Sequence, residues 1–563
     1  MSIKAMETDL LVIGGGIGGP FAAIFASEAG ARVTLLEKAA VRRSGATGMG
    51  IGSWHQMTSE NITLDDVAKE IMASGGKLIG SECILPINKG LVDENLNYIG
   101  YRDNWEVVHT LEKWGIKMVW DDGKYNLEGD NLRFHGGQLK RGIDRALKKS
   151  AVTVLERTMG IDLLTRDGVI VGATALNVRT GKFSVIRAKM VMLATGTVSR
   201  IFNPWHHHSQ GRFKMLYHYH AGSGDGVAMA YKVGAELVNF EIGGIGAGVI
   251  GCRLADKTIY SHPSVFPDIA CDSRGNFVKG IMDADRQLKI KREGHDPCYA
   301  DFRGRTEDYY QYWEDYNADS VPIHLKFIAE RGLNARKQKM EVANYKPEHN
   351  SSISGIAFDE NGRTSIDRLY AVGDMVGGTT FLGAANAAVY GMRAGRHIAS
   401  LLSKMEMVDV DEAQVAEQKK IVFGPKKVKQ RGIEPLEVEL KIRDLVERYC
   451  GPERSESSID QGLWRLKAVR DRFLPELAAN DNHDLMSAYE VRNLFVLAEL
   501  FMLCARERKE SGMRTYRMDY PERANDHWKE ALVAKLEGGE IRFSRRRLPE
   551  LKAQFRPKAS SNV

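Results

Sequence analysis

A glycine motif near the start of the chain has the residue types and spacing to hold a dinucleotide. Gly14, Gly16 and Gly19 form the pattern G-x-G-x-x-G, and Glu37 follows at the distance that this motif requires. Glycines let the backbone turn tightly and bring its amides close to a diphosphate at a helix N-terminus. A carboxylate such as Glu37 can accept hydrogen bonds from a ribose diol. We therefore predict that these four residues bind a dinucleotide. The alternative is a glycine turn that only packs a helix on a strand.

Two histidine-rich segments could supply proton-transfer groups. They are Trp205-His206-His207-His208 and residues 217–220, in which tyrosine and histidine alternate. Imidazole titrates near pH 6.5, which suits proton transfer beside a redox cofactor. On a strand, His218 and His220 would share one face and the tyrosines, including Tyr219, the other. Catalysis, packing in a loop and contact with a partner chain stay open. Metal binding fits poorly, because three consecutive histidines cannot easily reach one ion.

The glycine motif lies between segments that predict strands and a helix. Residues 9–13 are a short apolar run typical of a buried parallel strand, residues 21–26 favour a helix, and residues 33–37 favour a second strand. This βαβ order is the one in which the motif binds dinucleotides. Short alternating runs over 151–191 predict a β-meander that returns to the first domain, and the apolar run 189–196 predicts a strand that ends in glycine.

The later part of the chain predicts an inserted region and a helical end. Residues from about 240 to 350 are irregular and rich in Asp, Arg, Tyr and His, while residues 369–374 again favour a strand that runs into a turn. From about 410 onward the pattern is helical and strongly charged. Arg545-Arg546-Arg547 begins a basic tail that we predict to be an extended arm, either solvated or available to an acidic redox partner.

The composition excludes several classes of protein. A length of 563 residues favours more than one domain, and 43% hydrophobic with 27% charged residues excludes disordered and collagen-like chains. A net charge of +6 is too small to indicate nucleic-acid binding. Six cysteines without a C-x-x-C predict neither a disulfide framework nor an iron–sulfur cluster held by this chain. No apolar run reaches the ~18–20 residues of a membrane span, and we predict a cytoplasmic protein.

Further segments carry a resemblance to a known family. They are Lys38, residues 43–50, Ala194-Thr195-Gly196, residues 222–230, residues 369–374, residues 383–391 and residues 508–523. In this order, and over nearly the whole chain, they resemble the FAD-dependent flavoprotein subunits of the fumarate reductase and succinate dehydrogenase superfamily. Residues 43–46 and 211–223 look closest to the alpha subunit of adenylylsulfate reductase. The resemblance therefore implies FAD rather than NAD.

The same resemblance implies an α/β fold. It predicts a Rossmann-like FAD-binding domain with an inserted α+β capping domain and a helical C-terminal domain. The FAD-binding domain would span 1–240 and 351–405, the capping (substrate) domain 241–350, and the helical domain with its basic tail 406–563.

The resemblance also implies a set of cofactor-binding residues beyond the glycine motif and Glu37. They are Lys38, Ser44, Thr47, Gly48, Gly50, Ala194, Thr195, Gly196, Asp225, Gly373, Asp374, Asn386, Ala387 and Ala388. The membrane-bound relatives attach FAD covalently to a histidine after an Arg-Ser pair. Gly45 stands at that position here, so we expect non-covalent FAD.

Departures from the family pattern bear on the substrate. Fumarate reductases carry a His-Pro-Thr motif, a proton-donating arginine and a carboxylate-clamping arginine, where this chain has residues 240–248, 271–277 and 381–383. A dicarboxylate is therefore disfavoured, and nothing supports adenylylsulfate. His349 lies near the position of a substrate histidine of fumarate reductases, and Arg253 and His262 lie in a segment that usually faces the flavin. We predict a catalytic set of His218, His220, Tyr219, Arg253 and His349, and no metal site.

The resulting prediction is an FAD-dependent oxidoreductase that moves a hydride or an electron pair between flavin N5 and a small organic substrate. A single G-x-G-x-x-G leaves no obvious nicotinamide site. The resemblance implies a ferredoxin-like iron–sulfur partner subunit, and an oligomer is possible. Two alternatives stay open: an electron-transfer subunit without its own substrate, and a stand-alone enzyme resembling fumarate reductase.

Overall fold

The structure is a computed structural model. It describes residues 5–48, 51, 54–55, 58, 62–74, 90–118, 120–121, 124–125, 127–128, 131–132, 135–202, 222–245, 270–278, 289–290, 292–295, 298–320, 323–330, 332–341, 347–349, 352–381, 383–428, 432–451, 453–511, 516–522 and 530–557.

The described residues form both helices and strands. The helices are α1 (Gly18–Glu28), α2 (Leu64–Ser74), α3 (Glu94–Lys113), α4 (Leu139–Lys149), α5 (Asp225–Lys232), α6 (Glu307–Ser320), α7 (Ile323–Glu330), α8 (Gly383–Leu401), α9 (Glu412–Phe423), α10 (Pro435–Cys450), α11 (Glu456–Phe473) and α12 (Asn482–Glu507). The strands are β1 (Met6–Ile13), β2 (Val33–Glu37), β3 (Trp54–His55), β4 (Trp120–Asp121), β5 (Lys124–Tyr125), β6 (Leu127–Glu128), β7 (Asn131–Leu132), β8 (Thr153–Glu156), β9 (Thr158–Arg166), β10 (Val169–Asn177), β11 (Phe183–Leu193), β12 (Leu237–Val238), β13 (Gly243–Ile245), β14 (Ala270–Cys271), β15 (Tyr299–Ala300), β16 (Met340–Glu341), β17 (Pro347–His349), β18 (Gly355–Ala357), β19 (Leu369–Ala371), β20 (Val376–Gly377), β21 (Glu453–Arg454), β22 (Tyr516–Arg517), β23 (Ala531–Glu537) and β24 (Glu540–Arg546).

A central sheet carries the glycine motif. Its strands follow the order β8-β2-β1-β11-β10-β9, and β19 also pairs with β11. β1 runs parallel to β2 and β11, whereas β9, β10 and β11 form an antiparallel meander. β1 and β2 are buried along almost their whole length, as expected for strands covered on both faces. The predicted βαβ start and the predicted meander are confirmed.

Helices cover both faces of this sheet. On one face, α1, α3 and α8 pack around Phe21, Tyr101 and Tyr390, which are fully buried or nearly so. On the other face, α5 and the C-terminal helices α10 and α12 share a second apolar core that includes Met229 and Leu494. The predicted α/β fold with a helical C-terminal region is therefore confirmed, and the helical region is built directly onto the sheet. None of the helices in the described residues is long and apolar enough to be a membrane span.

A second sheet joins distant parts of the chain. It has the order β20-β18-β12-β23-β24, so that the C-terminal hairpin β23–β24 pairs with β12. The sequence pattern predicts only helix and an extended tail here, and this prediction is wrong for residues 531–546, which form the hairpin. The turn at Gly538 and Gly539 has positive φ values of 60° and 83°, and such a turn suits a tight hairpin.

We predicted that the segment from Arg545 onward is an extended arm exposed to solvent, and this prediction is wrong. Arg545 and Arg546 lie in β24, where they form ion pairs with Glu510 and Glu236. Beyond them, the Leu551 side chain is 1% exposed and its amide donates to Glu94 Oε2 at 2.9 Å. The end of the described chain is therefore fastened to the N-terminal turn of α3.

Candidate functional site

The glycine loop links the end of β1 to the start of α1. Gly14 has φ +116°, and a Cβ there would lie 2.2 Å from the carbonyl oxygen of Ala194. The Gly14 amide donates to Leu36 O at 2.9 Å, and the Ala194 amide donates to Ile13 O at 2.8 Å. Only glycine fits such a close approach. The loop is thereby held between the ends of β2 and β11, at the carboxyl edge of the parallel strands.

Glu37, the last residue of β2, fastens this loop from one side. Glu37 is 6% exposed, and its Oε2 accepts a hydrogen bond from the Gly15 amide at 2.8 Å. Its other oxygen accepts from the Ala39 amide at 2.6 Å. Glu37 therefore shapes the loop. Its predicted contact with a ribose stays a prediction.

The segment around Ser44 lies against the glycine loop. A Cβ on Gly45 would come 3.1 Å from Gly16 Cα, and the Gly48 amide donates to Gly45 O at 2.9 Å, which forms a turn that contains Thr47. The Ser44 side chain is 2% exposed, and its Oγ has no hydrogen-bond partner among the described residues. Gly50, predicted with this group, lies outside the described residues.

The late segment 383–388 approaches the loop from α8. A Cβ on Gly18 would lie 3.0 Å from Ala387 O. Asn386 is fully buried; its Nδ2 donates to Phe381 O at 2.6 Å, while Oδ1 has no partner in the described part of the chain. Ala388, the next helical residue but one, is fully buried as well. Ser44 Oγ and Asn386 Oδ1 are thus two buried oxygens near the glycine loop that lack a hydrogen-bond partner among the described residues.

Two further predicted segments meet at the same strand edge. Thr195 Oγ1 accepts a hydrogen bond from the Gly226 amide at 3.2 Å, at the start of α5. Val372 donates its amide to Leu193 O at 3.0 Å, which places Gly373 and Asp374 directly after β19 and beside β11. Gly196 has φ +78° and continues the turn after Ala194 and Thr195. The structure therefore brings the mid-chain and late segments together at the carboxyl edge of the sheet.

Lys38 and Asp225 are also brought together, within a network of charges. Lys38 Nζ lies 3.3 Å from Asp225 Oδ2, 3.1 Å from Ser223 Oγ and 2.7 Å from Glu490 Oε1 on α12. Burial alone would lower the pKa of Lys38, but Glu490 and Asp225 outweigh it and raise the pKa above its usual value. This network thus connects the glycine-motif strand to the C-terminal helices.

Arg200, which no sequence motif indicates, extends this network. Arg200 donates to Glu490 Oε2 at 2.5 Å and to Glu439 Oε2 at 2.5 Å. Burial would raise the pKa of Glu490, but Lys38 and Arg200 hold it below its usual value. Arg443, buried one helical turn after Glu439, also pairs with that carboxylate. Alternating cations and carboxylates therefore fill the interior between α5, α10 and α12.

Lys140 on α4 is a further residue that the sequence did not indicate. Its side chain is 3% exposed, and Nζ donates to Gly15 O and to Gly16 O, both at 2.6 Å. Burial lowers its pKa to about 8, against the opposing effect of Glu37 and Asp144. No motif surrounds Lys140, and only the fold brings it to the loop.

Of the five predicted catalytic residues, His349 alone lies among the described residues. His218, His220, Tyr219 and Arg253 lie outside the described residues, as do His206-His207-His208 and His262. His349 is the last residue of β17, and its backbone pairs with Gly243 of β13. Groups of His, Cys, Asp and Glu that could bind a metal do not occur among the described residues.

The donor set suits FAD. Glycine-loop amides at the start of α1 favour a diphosphate. The buried Ser44 Oγ and Asn386 Oδ1 need hydrogen-bond partners that the described protein does not provide, and a flavin carries both donors and acceptors. The residues present therefore fit the predicted cofactor.

Comparison with sequence families agrees with this geometry. Residues 9–243 match a family described as "FAD binding domain", and residues 439–561 match one described as "Fumarate reductase flavoprotein C-term". The first match contains the glycine loop and the second contains α11, α12 and the C-terminal hairpin. FAD is therefore the cofactor of this chain.

Similar proteins are oxidoreductases of matching length. A fumarate reductase (CoM/CoB) subunit from Methanothermobacter marburgensis is 24% identical, and the match covers 95% of this chain and 98% of that protein. L-aspartate oxidase from Vibrio cholerae is 24% identical over 92% of this chain and 96% of that protein.

Solved structures share the fold. Adenylylsulfate reductase from Archaeoglobus fulgidus superposes with a TM-score of 0.81 at 23% identity, covering 98% of this chain and 97% of that one. Quinol fumarate reductase FrdA from E. coli gives 0.80 at 19% identity, covering 98% of each chain. The chain is an FAD-dependent oxidoreductase and belongs to the flavoprotein superfamily of fumarate reductase and succinate dehydrogenase.

Proposed function

We propose that this chain passes a hydride or an electron pair between flavin N5 and a small organic substrate, and exchanges electrons with a separate iron–sulfur protein. The convergence of the glycine loop, Ser44 and Asn386 at one strand edge supports the proposal most strongly. Bound there, the flavin would supply the redox chemistry at N5. The FAD is non-covalent in this proposal, since Gly45 stands where a histidine would be needed.

The chain's own residues would bind and orient this cofactor. The amides of the glycine loop and the first turn of α1 would face its diphosphate. Ser44 Oγ and Asn386 Oδ1 would complete their hydrogen bonding with it. Lys38 and Asp225 would fix α5 against the end of β2. The other predicted binding residues keep that role in the proposal, including Gly50, which lies outside the described residues.

We assign proton transfer to His349, the one member of the predicted catalytic set that lies among the described residues. Its strand pairing with Gly243 joins the two ends of the segment that we assign to substrate binding, residues 241–350. Imidazole can donate or accept a proton near neutral pH when a substrate exchanges a hydride. His218, His220, Tyr219 and Arg253 remain further candidates from the sequence.

A His349→Ala variant tests this role. We expect turnover to fall by roughly 100-fold or more, with the same FAD content as the wild type. His109→Ala, a change at an exposed histidine on α3, should leave both unchanged. Equal turnover of His349→Ala and the wild type would remove His349 from the reaction.

An electron-transfer partner is proposed from what the sequence contains. Six cysteines without a C-x-x-C cannot form a familiar cluster site, and a single G-x-G-x-x-G gives no second dinucleotide site. One similar protein is itself named as one subunit of a fumarate reductase. Electrons then have to pass through the substrate alone or through another protein, and we propose an iron–sulfur subunit. A cytoplasmic location fits this reducing chemistry.

Purification of the complex from its native source tests the whole proposal. We expect a flavin spectrum on this chain and broad iron–sulfur absorption on a second chain. The isolated, chemically reduced chain should be reoxidised by that second chain but not by fumarate. Rapid reoxidation by fumarate without a partner would instead establish a stand-alone enzyme resembling fumarate reductase. A chain that stays colourless with excess FAD would overturn the proposal entirely.

A further inference from the structure

Lys140 contacts the glycine loop, and the function proposed above gives it no role. Its ammonium group donates to two consecutive loop carbonyls, Gly15 O and Gly16 O, at 2.6 Å each. We infer that Lys140 is a positioning residue for FAD, which holds these carbonyls so that the loop amides point toward the diphosphate. This inference rests on FAD binding at the loop.

The planarity of the peptide bond gives this contact its consequence. In a trans peptide the carbonyl and the following N–H point in opposite directions. With Gly15 O turned toward Lys140, the Gly16 N–H must point away from it, and with Gly16 O turned the same way, so must the Ile17 N–H. Neither amide donates a hydrogen bond to another described residue. Lys140 thereby fixes the direction of two donors without touching their ligand.

Glu37 holds the loop at Gly15, the residue before the Gly16 and Ile17 amides. It accepts from the Gly15 amide at 2.8 Å, so the Gly15 amide and the carbonyls of Gly15 and Gly16 are all occupied by side chains. A glycine loop has many accessible conformations, and fixing it in advance lowers the entropy lost when a ligand binds. Glu37 and Lys140 together act on the loop as a two-sided clamp.

The charge of Lys140 adds to this positioning. The ammonium stands behind amides that already carry the positive end of the α1 dipole. Its surroundings exclude water, since the side chain is 3% exposed, and charge interactions are stronger there than at a surface. The combination favours a doubly negative diphosphate over a neutral ligand.

Binding measurements on the full chain stripped of FAD test the inference. The probes are FAD, ADP, which has the diphosphate but no flavin, and riboflavin, which has the flavin but no diphosphate. We expect Lys140→Met to raise the Kd for FAD and ADP by about tenfold or more, which corresponds to about 1.4 kcal/mol, and to leave riboflavin binding unchanged. Lys148→Met, on the exposed side of the same helix, is the matched control.

Three outcomes decide the matter. Unchanged Kd values for FAD and ADP in Lys140→Met would overturn the inference, and so would an equal loss for riboflavin. Lys140→Gln, which retains donor groups but no charge, should give an intermediate Kd and covers the case in which Lys140→Met does not fold. A wild-type chain that binds neither FAD nor ADP would contradict the proposed function itself, which is a separate failure.

Discussion

Lys38 and Lys140 both lie at the carboxyl edge of the parallel strands, but the groups around their ammonium ions differ. Lys38 lies between Glu490 and Asp225, at 2.7 and 3.3 Å, and these carboxylates keep its pKa above the usual value despite burial. Lys140 faces two carbonyl oxygens, and burial lowers its pKa to about 8. A charge that serves the fold is matched by opposite charges. The charge of Lys140 has only carbonyl dipoles as hydrogen-bond partners, and Glu37 and Asp144 offset its burial only in part.

Removing the charge of Lys38, which is paired with two carboxylates, should have the largest effect on stability. Lys38→Met leaves Glu490, which is 1% exposed, without one of its two cations. Breaking a buried ion pair from one side is strongly destabilising, and we expect a loss of about 3 kcal/mol in the free energy of unfolding, measured by urea denaturation. An unchanged unfolding midpoint would show that Arg200 alone compensates Glu490.

Lys140 should make the free energy of unfolding depend on pH, with an effect smaller than that of Lys38→Met. The native Lys140 loses its proton near pH 8, whereas the unfolded lysine keeps it up to about pH 10.4. The unfolded state therefore binds more protons in this window, and stability rises with pH. Relative to Lys140→Met, the FAD-free wild type should gain on the order of 2 kcal/mol between about pH 7.5 and about pH 9.5. A constant difference across that range would contradict the lowered pKa.

An exposed lysine should show the smallest effect. Lys148 is paired with Asp144 at 2.8 Å, but its side chain is 70% exposed. Such a pair contributes little, so we expect Lys148→Met to change the free energy of unfolding by less than about 0.5 kcal/mol, at either pH. A larger loss would mean that α4 depends on its surface charges, and the effect of Lys140→Met would then need correction for it.

The comparison also separates what sequence could predict from what it could not. The glycine motif, Glu37 and the βαβ order are local patterns, and their positions in the fold followed from spacing alone. No local sequence pattern indicates Lys140 or Glu490. Lys140 reaches the glycine loop only because α4 packs there, and Glu490 reaches Lys38 only because α12 does. The motif can be predicted, but its supporting charges require the tertiary structure.

The C-terminal hairpin was a different kind of omission. Its signal was present in the apolar run 531–534, in the pair Gly538-Gly539 and in the alternating residues 540–544. The run Arg545-Arg546-Arg547 instead predicts a solvated tail. In the structure these arginines lie on an edge strand, where exposed basic side chains are compatible with sheet pairing.

The pairing of β12 with β23 has a consequence for biosynthesis. Leu237 lies opposite Ala534, so this sheet cannot form fully until residue 534, about 300 residues after β12, has left the ribosome. Contacts between such remote residues form late and slowly. Nascent chains that are released early would expose the edge of β12 that β23 covers in the folded protein. Chaperones and proteases would have to recognise such chains.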